Sequence, residues 1–228
     1  MELKAFIQRF KQKYCKMKYS FLILILFVFN LNLQAKETQV IKESITLGAG
    51  CFWCVEAIYD QLKGVESVES GYMGGAVKNP SYKEVCSGNT GHAEVVKIVF
   101  DPAIISLTEI LEVFFQVHDP TTLNRQGADV GTQYRSVVFY ESDAQKEIAL
   151  AVKRQLNIAK VWDNPIVSEI SPESVFYKAE DCHQDYYLLN GDKNPYCSMV
   201  ITPKLEKFKK AFSEKLKQEN VPSDKMIR

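Results

Sequence analysis

The stretch "GAGCFWCVEA", residues 48–57, sets Cys51 and Cys54 three apart around a Phe-Trp pair. Thiols at this spacing have three chemistries open to them: a redox pair, half of a tetrahedral zinc site, or one nucleophile beside a bystander. No histidine follows directly, so covalent haem attachment is excluded. Cys51 comes straight after Gly48-Ala49-Gly50, where a strand would turn into a helix. Free N–H groups and the helix dipole favour an anion there, which lowers a thiol pKa and enlarges the nucleophilic thiolate fraction. Cys54, one turn further in, gains less. The plainer alternative makes both thiols small buried apolar residues, with Phe52 and Trp53 as ordinary core.

The rest of the chain narrows the choice. A formal net charge of zero over 228 residues hides an asymmetry. Residues 1–35 carry Lys4, Arg9, Lys11, Lys13, Lys16 and Lys18 against Glu2, a net +5, so the body carries −5. A mildly acidic body gives no reason to expect a nucleic-acid partner. The basic head runs into "SFLILILFVFNLNLQA", whose apolar stretch Phe21 to Phe29 is about half of what a bilayer-spanning helix needs. Basic region, short apolar core and the ending Leu33-Gln34-Ala35 read as a secretory signal peptide over 1–35, with Met1 or Met17 as the start. The body is expected to be exported, to a periplasmic or other extracytoplasmic space, touching the membrane only through this segment. The alternative is an uncleaved membrane anchor. Export leaves five cysteines, Cys51, Cys54, Cys86, Cys182 and Cys197. An odd number in an oxidising compartment implies at least one free or intermolecularly paired thiol, which leans toward thiol chemistry.

The elements that must position these groups form one α+β domain over 44–217, after a short linker at 36–43 and before a frayed polar tail at 218–228. "SITLGAG" predicts a strand into a glycine turn, and "CFWCVEAIYDQLKG" a helix stopped at Gly64. "VESVESGYMGG" alternates as a strand and meets a long Gly/Asn/Pro-rich loop, Gly71 to Gly91, with one helical turn in "SYKEVCSG". Loops that long inside a domain are usually functional. "HAEVVKIVFD" is the best strand in the chain. Ser106 and Glu109 make a capping box for a helix buried through Leu107, Ile110, Leu111, Phe114 and Phe115. "QYRSVVFY" and "PIVSEIS" predict strands, and Ser142 opens a helix to about Asn157. "YCSMVITPKLEKF" predicts a strand followed by a helix, with Thr202 as cap, Pro203 at its start, and Leu205, Phe208, Phe212 and Leu216 at helical spacing.

Taken together and in order, "GCFWCVEA", "GYMGG…NPSYKEVCSGNTGHAEVV", "FDP", "HDPTTLNRQGADVGTQYRSVVFY" and "HQDYY…NPYC" resemble the peptide methionine sulfoxide reductases of the A type. The similarity runs from about Ser44 to Phe212. It implies a two-layer sandwich, a mixed and mainly antiparallel sheet with packed helices on a ferredoxin-like core with long loops. It also implies reduction of the S epimer of methionine sulfoxide, free or in oxidised proteins, with no bound cofactor or metal and a thioredoxin-type dithiol as external reductant. The chemistry needs a thiolate to attack sulfur while the oxygen gains a proton, a task for a carboxylic acid kept neutral by apolar surroundings. The resemblance gives Cys51 the attack and Glu94 the proton. Tyr82 and Tyr134 would hold the oxygen by their phenolic O–H groups, with Asp129 as a polar group behind them. Phe52 and Trp53 would wall the S-methyl group.

Cys51 would then carry the oxygen as a sulfenic acid, which a second thiol condenses to a disulfide. Cys197, in "NPYC", matches the family's first recycling position. Many relatives have a glycine-rich tail with a further cysteine, and a small residue where Cys54 stands; here no cysteine follows Cys197. Cys197 and Cys54 are therefore both candidates for the resolving thiol. Cys86 and Cys182 read as structural or incidental, and His183 as a hydrogen-bonding residue. Two other classes remain on the residues alone. A structural zinc site could use Cys51, Cys54, Cys182 or His183, and Cys197. A thioredoxin-like exchange protein could use Cys51 and Cys54, although the proline and βαβ context of that fold are missing.

Overall fold

Alternating apolar residues in three consecutive strands build the centre of the sheet. The computed structural model describes residues 41–218, so the signal segment and all but the first residue of the polar tail lie outside the described residues. β1 (Glu43–Ala49) lies between β3 (Ala93–Phe100) and β6 (Ser136–Tyr140), antiparallel to both, with Leu47 opposite Val96 and Val138. β2 (Val65–Met73) adds antiparallel to the far side of β3, placing Tyr72 opposite Glu94. The edges are β7 (Glu169–Pro172), parallel to β6, and the two-residue β8 (Tyr177–Lys178), antiparallel to β2. The order is β7-β6-β1-β3-β2-β8, a mixed and mainly antiparallel six-stranded sheet. A separate ribbon pairs β4 (Arg125–Gln126) with β5 (Asp129–Val130).

Helices cover one face. Ile45, Leu47, Val96, Ile98 and Phe100 pack against α1 (Phe52–Tyr59), α3 (Leu107–Val117), α4 (Asp143–Ile158) and α6 (Thr202–Ala211) in the main core. Each such side chain removed from water contributes about 1.5–3 kcal/mol. Met73, Ala93, Val95, Val137 and Phe139 form a smaller cluster, closed by Phe176, that accounts for the intervening residues of the same strands. The capping box at α3 forms as the sequence predicts: the Glu109 N–H donates to Ser106 Oγ at 3.3 Å and the Ser106 N–H to Glu109 Oε2 at 2.9 Å. A second box, Ser81 with Glu84, starts the short α2 (Tyr82–Cys86) inside the long loop. Ser142 caps α4, accepting from the Gln145 N–H at 3.3 Å.

Five expectations shift. α1 ends at Tyr59 rather than at Gly64, because the chain turns at Asp60 to bury Leu62 and pair it with Leu216. "QYRSVVFY" starts with a 3₁₀ turn, Thr132–Tyr134, so that only Ser136–Tyr140 is strand. Residues Cys197–Ile201 are a π-helical turn and no strand; it runs directly into α6. Thr202 therefore caps nothing: its backbone is already helical and its hydroxyl bonds back to the Cys197 carbonyl at 3.0 Å. α6 stops at Ala211, and Leu216 lies beyond it.

One glycine fixes how strand meets helix. Gly50, at φ +90°, joins β1 to α1, and a Cβ there would sit 2.6 Å from Gln126 Cγ. Both the left-handed backbone and the close approach demand glycine. The helix can thus begin one residue later, with Cys51 as its N-cap.

Candidate active site

Cys51 is 8 % exposed, and the N–H of Cys54 donates to its carbonyl at 3.1 Å, closing the first turn of α1. The helix start is as expected, but the acidity is not. The interaction between the two neighbouring thiols pulls the Cys54 pKa down and pushes that of Cys51 well up, with burial and the nearby Glu94 raising Cys51 further. In the resting site Cys51 keeps its proton and Cys54 is the more acidic thiol. The dipole at the helix start is outweighed by a neighbouring thiol in a water-poor setting.

Glu94 is the second residue of β3, on the same face as Val96, Ile98 and Phe100, and is 1 % exposed. Its Oε2 accepts the Phe52 N–H at 3.1 Å, while Oε1 is buried without a partner. Burial, with smaller contributions from Asp129 and Cys54, pushes its pKa up to about 8 against the one hydrogen bond that lowers it. The carboxyl is therefore a neutral acid at neutral pH, with one oxygen tied to the helix start and the other free to give its proton. Tyr82 and Tyr134 both lie within reach of this charge: burial first, then Glu94, raises each phenol and keeps it protonated as a donor. Asp129 accepts from the Tyr196 O–H at 2.9 Å.

The apolar wall is more crowded than expected. Phe52 is fully buried among Tyr72, Tyr82 and His183, at centroid distances of 5.9, 6.1 and 5.7 Å. The Tyr186 ring lies flat on Trp53 at 3.7 Å. Tyr186 opens the short α5 (Tyr186–Asn190), and its N–H donates to Glu56 of α1 at 3.3 Å. Burial lifts the Glu56 pKa to about 7, and the Ser70 hydroxyl donates to its other oxygen at 3.1 Å. His183 differs from expectation: it packs against Trp53 and Tyr82, at centroid distances of 5.6 and 4.3 Å, and its Nδ1 is buried without a partner.

Cys197 is completely buried, in one apolar cluster with Cys51, Cys54, Ala57 and Ile201. All five cysteines among the described residues are free; Cys86 and Cys182 are exposed. Cys86 nevertheless lies near enough to the Tyr82 hydroxyl to raise that phenol, after burial and Glu94, closer to the site than the sequence suggested. Among the described residues, no group of three or more His, Cys, Asp or Glu is placed to hold a metal ion. The structure thus brings together Cys51, Glu94, Tyr82, Tyr134, Asp129, Phe52, Trp53 and Cys197. Sequence reasoning missed Tyr196 and Tyr186, which no periodicity marks, and Glu56, whose signal was a lone acid within the apolar helix "FWCVEAIY". Among the described residues, three of the six buried side-chain atoms without a partner, on Trp53, Glu94 and His183, belong to this site. Polar groups left unpaired by the fold are ones a ligand can satisfy.

Glu94 gives the site a stability signature. An ordinary glutamate titrates near 4.5, so between that pH and about 8 the folded protein keeps a proton that the unfolded chain releases. Raising the pH through this window costs stability, on the order of 3–5 kcal/mol if only Glu94 is counted. Glu94→Gln should match the wild type near pH 4 and exceed it by that amount at pH 9, read from urea unfolding midpoints. Parallel pH profiles for the two proteins would refute the neutral carboxyl.

The peptide methionine sulfoxide reductase family model matches residues 43–216. The peptide methionine sulfoxide reductase MsrA of Saccharolobus solfataricus is 55 % identical over 178 residues, covering 77 % of this chain and 97 % of that protein. That of Natronomonas pharaonis is 54 % identical over 174 residues, covering 75 % and 96 %. Among solved structures, reduced Mxr1 from Saccharomyces cerevisiae superposes with a TM-score of 0.62 at 37 % identity, over 70 % of this chain and 91 % of the yeast one. A buried acid with a raised pKa beside a thiol at a helix start, on this fold and at this identity, leads to one conclusion: the chain belongs to the peptide methionine sulfoxide reductase family and is an oxidoreductase of its A type.

Proposed function

We propose that the chain reduces the S epimer of methionine sulfoxide, in proteins and as the free amino acid, by a sulfenic acid route with named residues. Cys51 gives up its thiol proton as its sulfur attacks the sulfoxide sulfur, Glu94 gives its own proton to the oxygen as the S–O bond weakens, and the thiol proton restores the Glu94 carboxyl. Tyr82 and Tyr134 donate hydrogen bonds to that oxygen, and Asp129 acts from behind, ordering Tyr196. Phe52 and Trp53 receive the S-methyl group once Tyr186 moves off Trp53. Methionine leaves, Cys51 carries the oxygen, and a second thiol of the cluster converts the sulfenic acid to a disulfide with loss of water. Cys197 ends in the disulfide that an external thioredoxin-type dithiol reduces.

The observation that carries this reading is the unpartnered Glu94 Oε1, on a carboxyl pushed up to about 8, next to the residue that follows Cys51. An acid in that state protonates an oxygen that would otherwise be a very poor leaving group. With dithiothreitol in excess, Cys51→Ser should show no turnover of a peptide sulfoxide, since a hydroxyl attacks sulfur poorly. Glu94→Gln should keep KM within a few-fold and lose about 10²–10⁴ in kcat, the range for one general acid. Turnover by Cys51→Ser, or a Glu94→Gln enzyme within threefold of wild type, sinks the assignment.

The head of the chain supports export: six basic residues, a short apolar core and the Leu33-Gln34-Ala35 ending. No helix among the described residues is long and apolar enough to cross a membrane. N-terminal sequencing of protein recovered from cells should read from Lys36 in the extracytoplasmic fraction. A start at Met1 or Met17 in the soluble cytoplasm would refute export.

A further inference from the structure

Tyr186 has to leave Trp53 before the S-methyl group can enter, so whatever holds Tyr186 sets how readily the site opens. We propose that Glu56 is a positioning residue that latches Tyr186 over Trp53 and so governs substrate entry through that ring. This rests on the reaction read above, in which Trp53 walls the S-methyl group.

The chain leading into Tyr186 is pinned to the sheet. Gln184 Oε1 accepts the Ser70 N–H of β2 at 3.0 Å, and its Nε2 donates to the Ser70 and Ala179 carbonyls at 3.0 and 2.9 Å. Asp185 follows in the left-handed region, at φ +50°, a conformation in which aspartate is enriched. Beyond that turn, the Tyr186 carbonyl accepts from Asn190 at 3.1 Å and its hydroxyl from Asn194 at 2.8 Å. Both partners lie in the segment that Tyr186 opens, so these bonds travel with the ring. Tyr187 adds a tie between neutral groups, its hydroxyl 2.9 Å from Thr202 Oγ1. The bond from the Tyr186 N–H to Glu56, 3.3 Å, is of another kind: it ends on a carboxyl of α1, the helix that carries Trp53. The ring it restrains lies 3.7 Å from the indole. Glu56 is itself held, 2 % exposed, with its other oxygen accepting the Ser70 hydroxyl at 3.1 Å.

The latch answers to protonation, because a hydrogen bond to an ionised carboxylate is stronger than one to a neutral carboxyl. Burial lifts the Glu56 pKa to about 7, so the group is mostly neutral at pH 6 and mostly ionised at pH 8. The charged groups around it are Asp60 on its own helix, Asp185 before α5, Asp192 and Lys193 beyond it, and Lys209 of α6, which line one cavity with Glu56. Among them Asp60 raises Glu56 further, and β2 offers the Ser70 hydroxyl, which carries no charge. The latch therefore tightens as the pH rises through 7.

The test measures single-turnover methionine release against peptide sulfoxide concentration, at pH 6 and pH 8. Glu56→Gln keeps a carbonyl oxygen for the Tyr186 N–H but never a charge. At pH 8 it should lower the half-saturating concentration about three- to ten-fold, the gap between a charged and a neutral hydrogen bond. Its maximal rate should stay within twofold of wild type, and at pH 6 the two enzymes should agree. Glu94 also titrates in this region, but it is common to both enzymes and acts on the maximal rate. In a Tyr186→Ala background, Glu56→Gln should change nothing further. A second readout needs no substrate. With Trp162→Phe, Trp53 is the one tryptophan left, and its emission should step near pH 7, a step that Glu56→Gln abolishes. Equal half-saturation at pH 8, the same ratio at both pH values, an effect that survives Tyr186→Ala, or emission without the step would overturn the latch. A maximal rate lost in Glu56→Gln would do so too, by placing Glu56 in the chemistry. No methionine from the wild type would instead sink the reaction beneath it.

Discussion

The hydrogen bond from the Phe52 N–H to Glu94 Oε2 is the constraint around which the site is arranged. It ties the first residue of α1 to the second residue of β3, across the junction where a sheet hands over to a helix. A helix start has N–H groups with no partner in the helix, and one of them is satisfied here by a carboxyl from the neighbouring strand. That single contact places the acid beside the residue after Cys51. It occupies one carboxyl oxygen and leaves the other unpaired, which gives the group a direction. Gly50 makes the arrangement reachable, since only a residue without Cβ takes φ +90° against Gln126.

Around this contact the site holds its protons instead of shedding them. Burial raises Glu94, Tyr82 and Tyr134, because a charge in a water-poor setting is costly, and Cys54 followed by burial raises Cys51. Cys54 is the exception, lowered by its partner thiol. A neutral acid and neutral phenols suit a reaction whose demand is a proton at oxygen. Negative charge on the neighbouring thiols raises Glu94 and Tyr134 further, so the distribution of protons is coherent across the pocket.

Much of this was legible in the residues. Cys51 after Gly48-Ala49-Gly50 predicted a helix start and the apolar run of "HAEVVKIVFD" predicted β3, whereas Glu94 was singled out only through the family resemblance. The strand and helix cores followed from periods of two and 3.6. The proton affinities of the thiols did not follow, because they depend on which side chains touch, and the i to i+3 contact outweighed the dipole. The end of α6 was misread for a different reason. Leu205 and Phe208 are helical core, whereas Leu216 continues the same spacing but is apolar because it bridges Leu62. Two-residue strands such as β4, β5 and β8 are too short to carry a period, and the Tyr186 and Tyr196 positions are set by tertiary packing alone.

The cover over the site bears on survival as well as recognition. Methionine sulfoxide and cysteine sulfenic acid arise from the same oxidants, and a sulfenic acid oxidised once more is beyond the reach of a dithiol. With Cys51 8 % exposed and still protonated, and Tyr186 stacked on Trp53, a small peroxide meets neither an open surface nor a thiolate. A methionine side chain arrives with enough apolar surface to replace the aromatic contact it displaces; hydrogen peroxide does not. On the reading proposed above, this packing shields the Cys51 thiol from the oxidants whose damage it reverses in others.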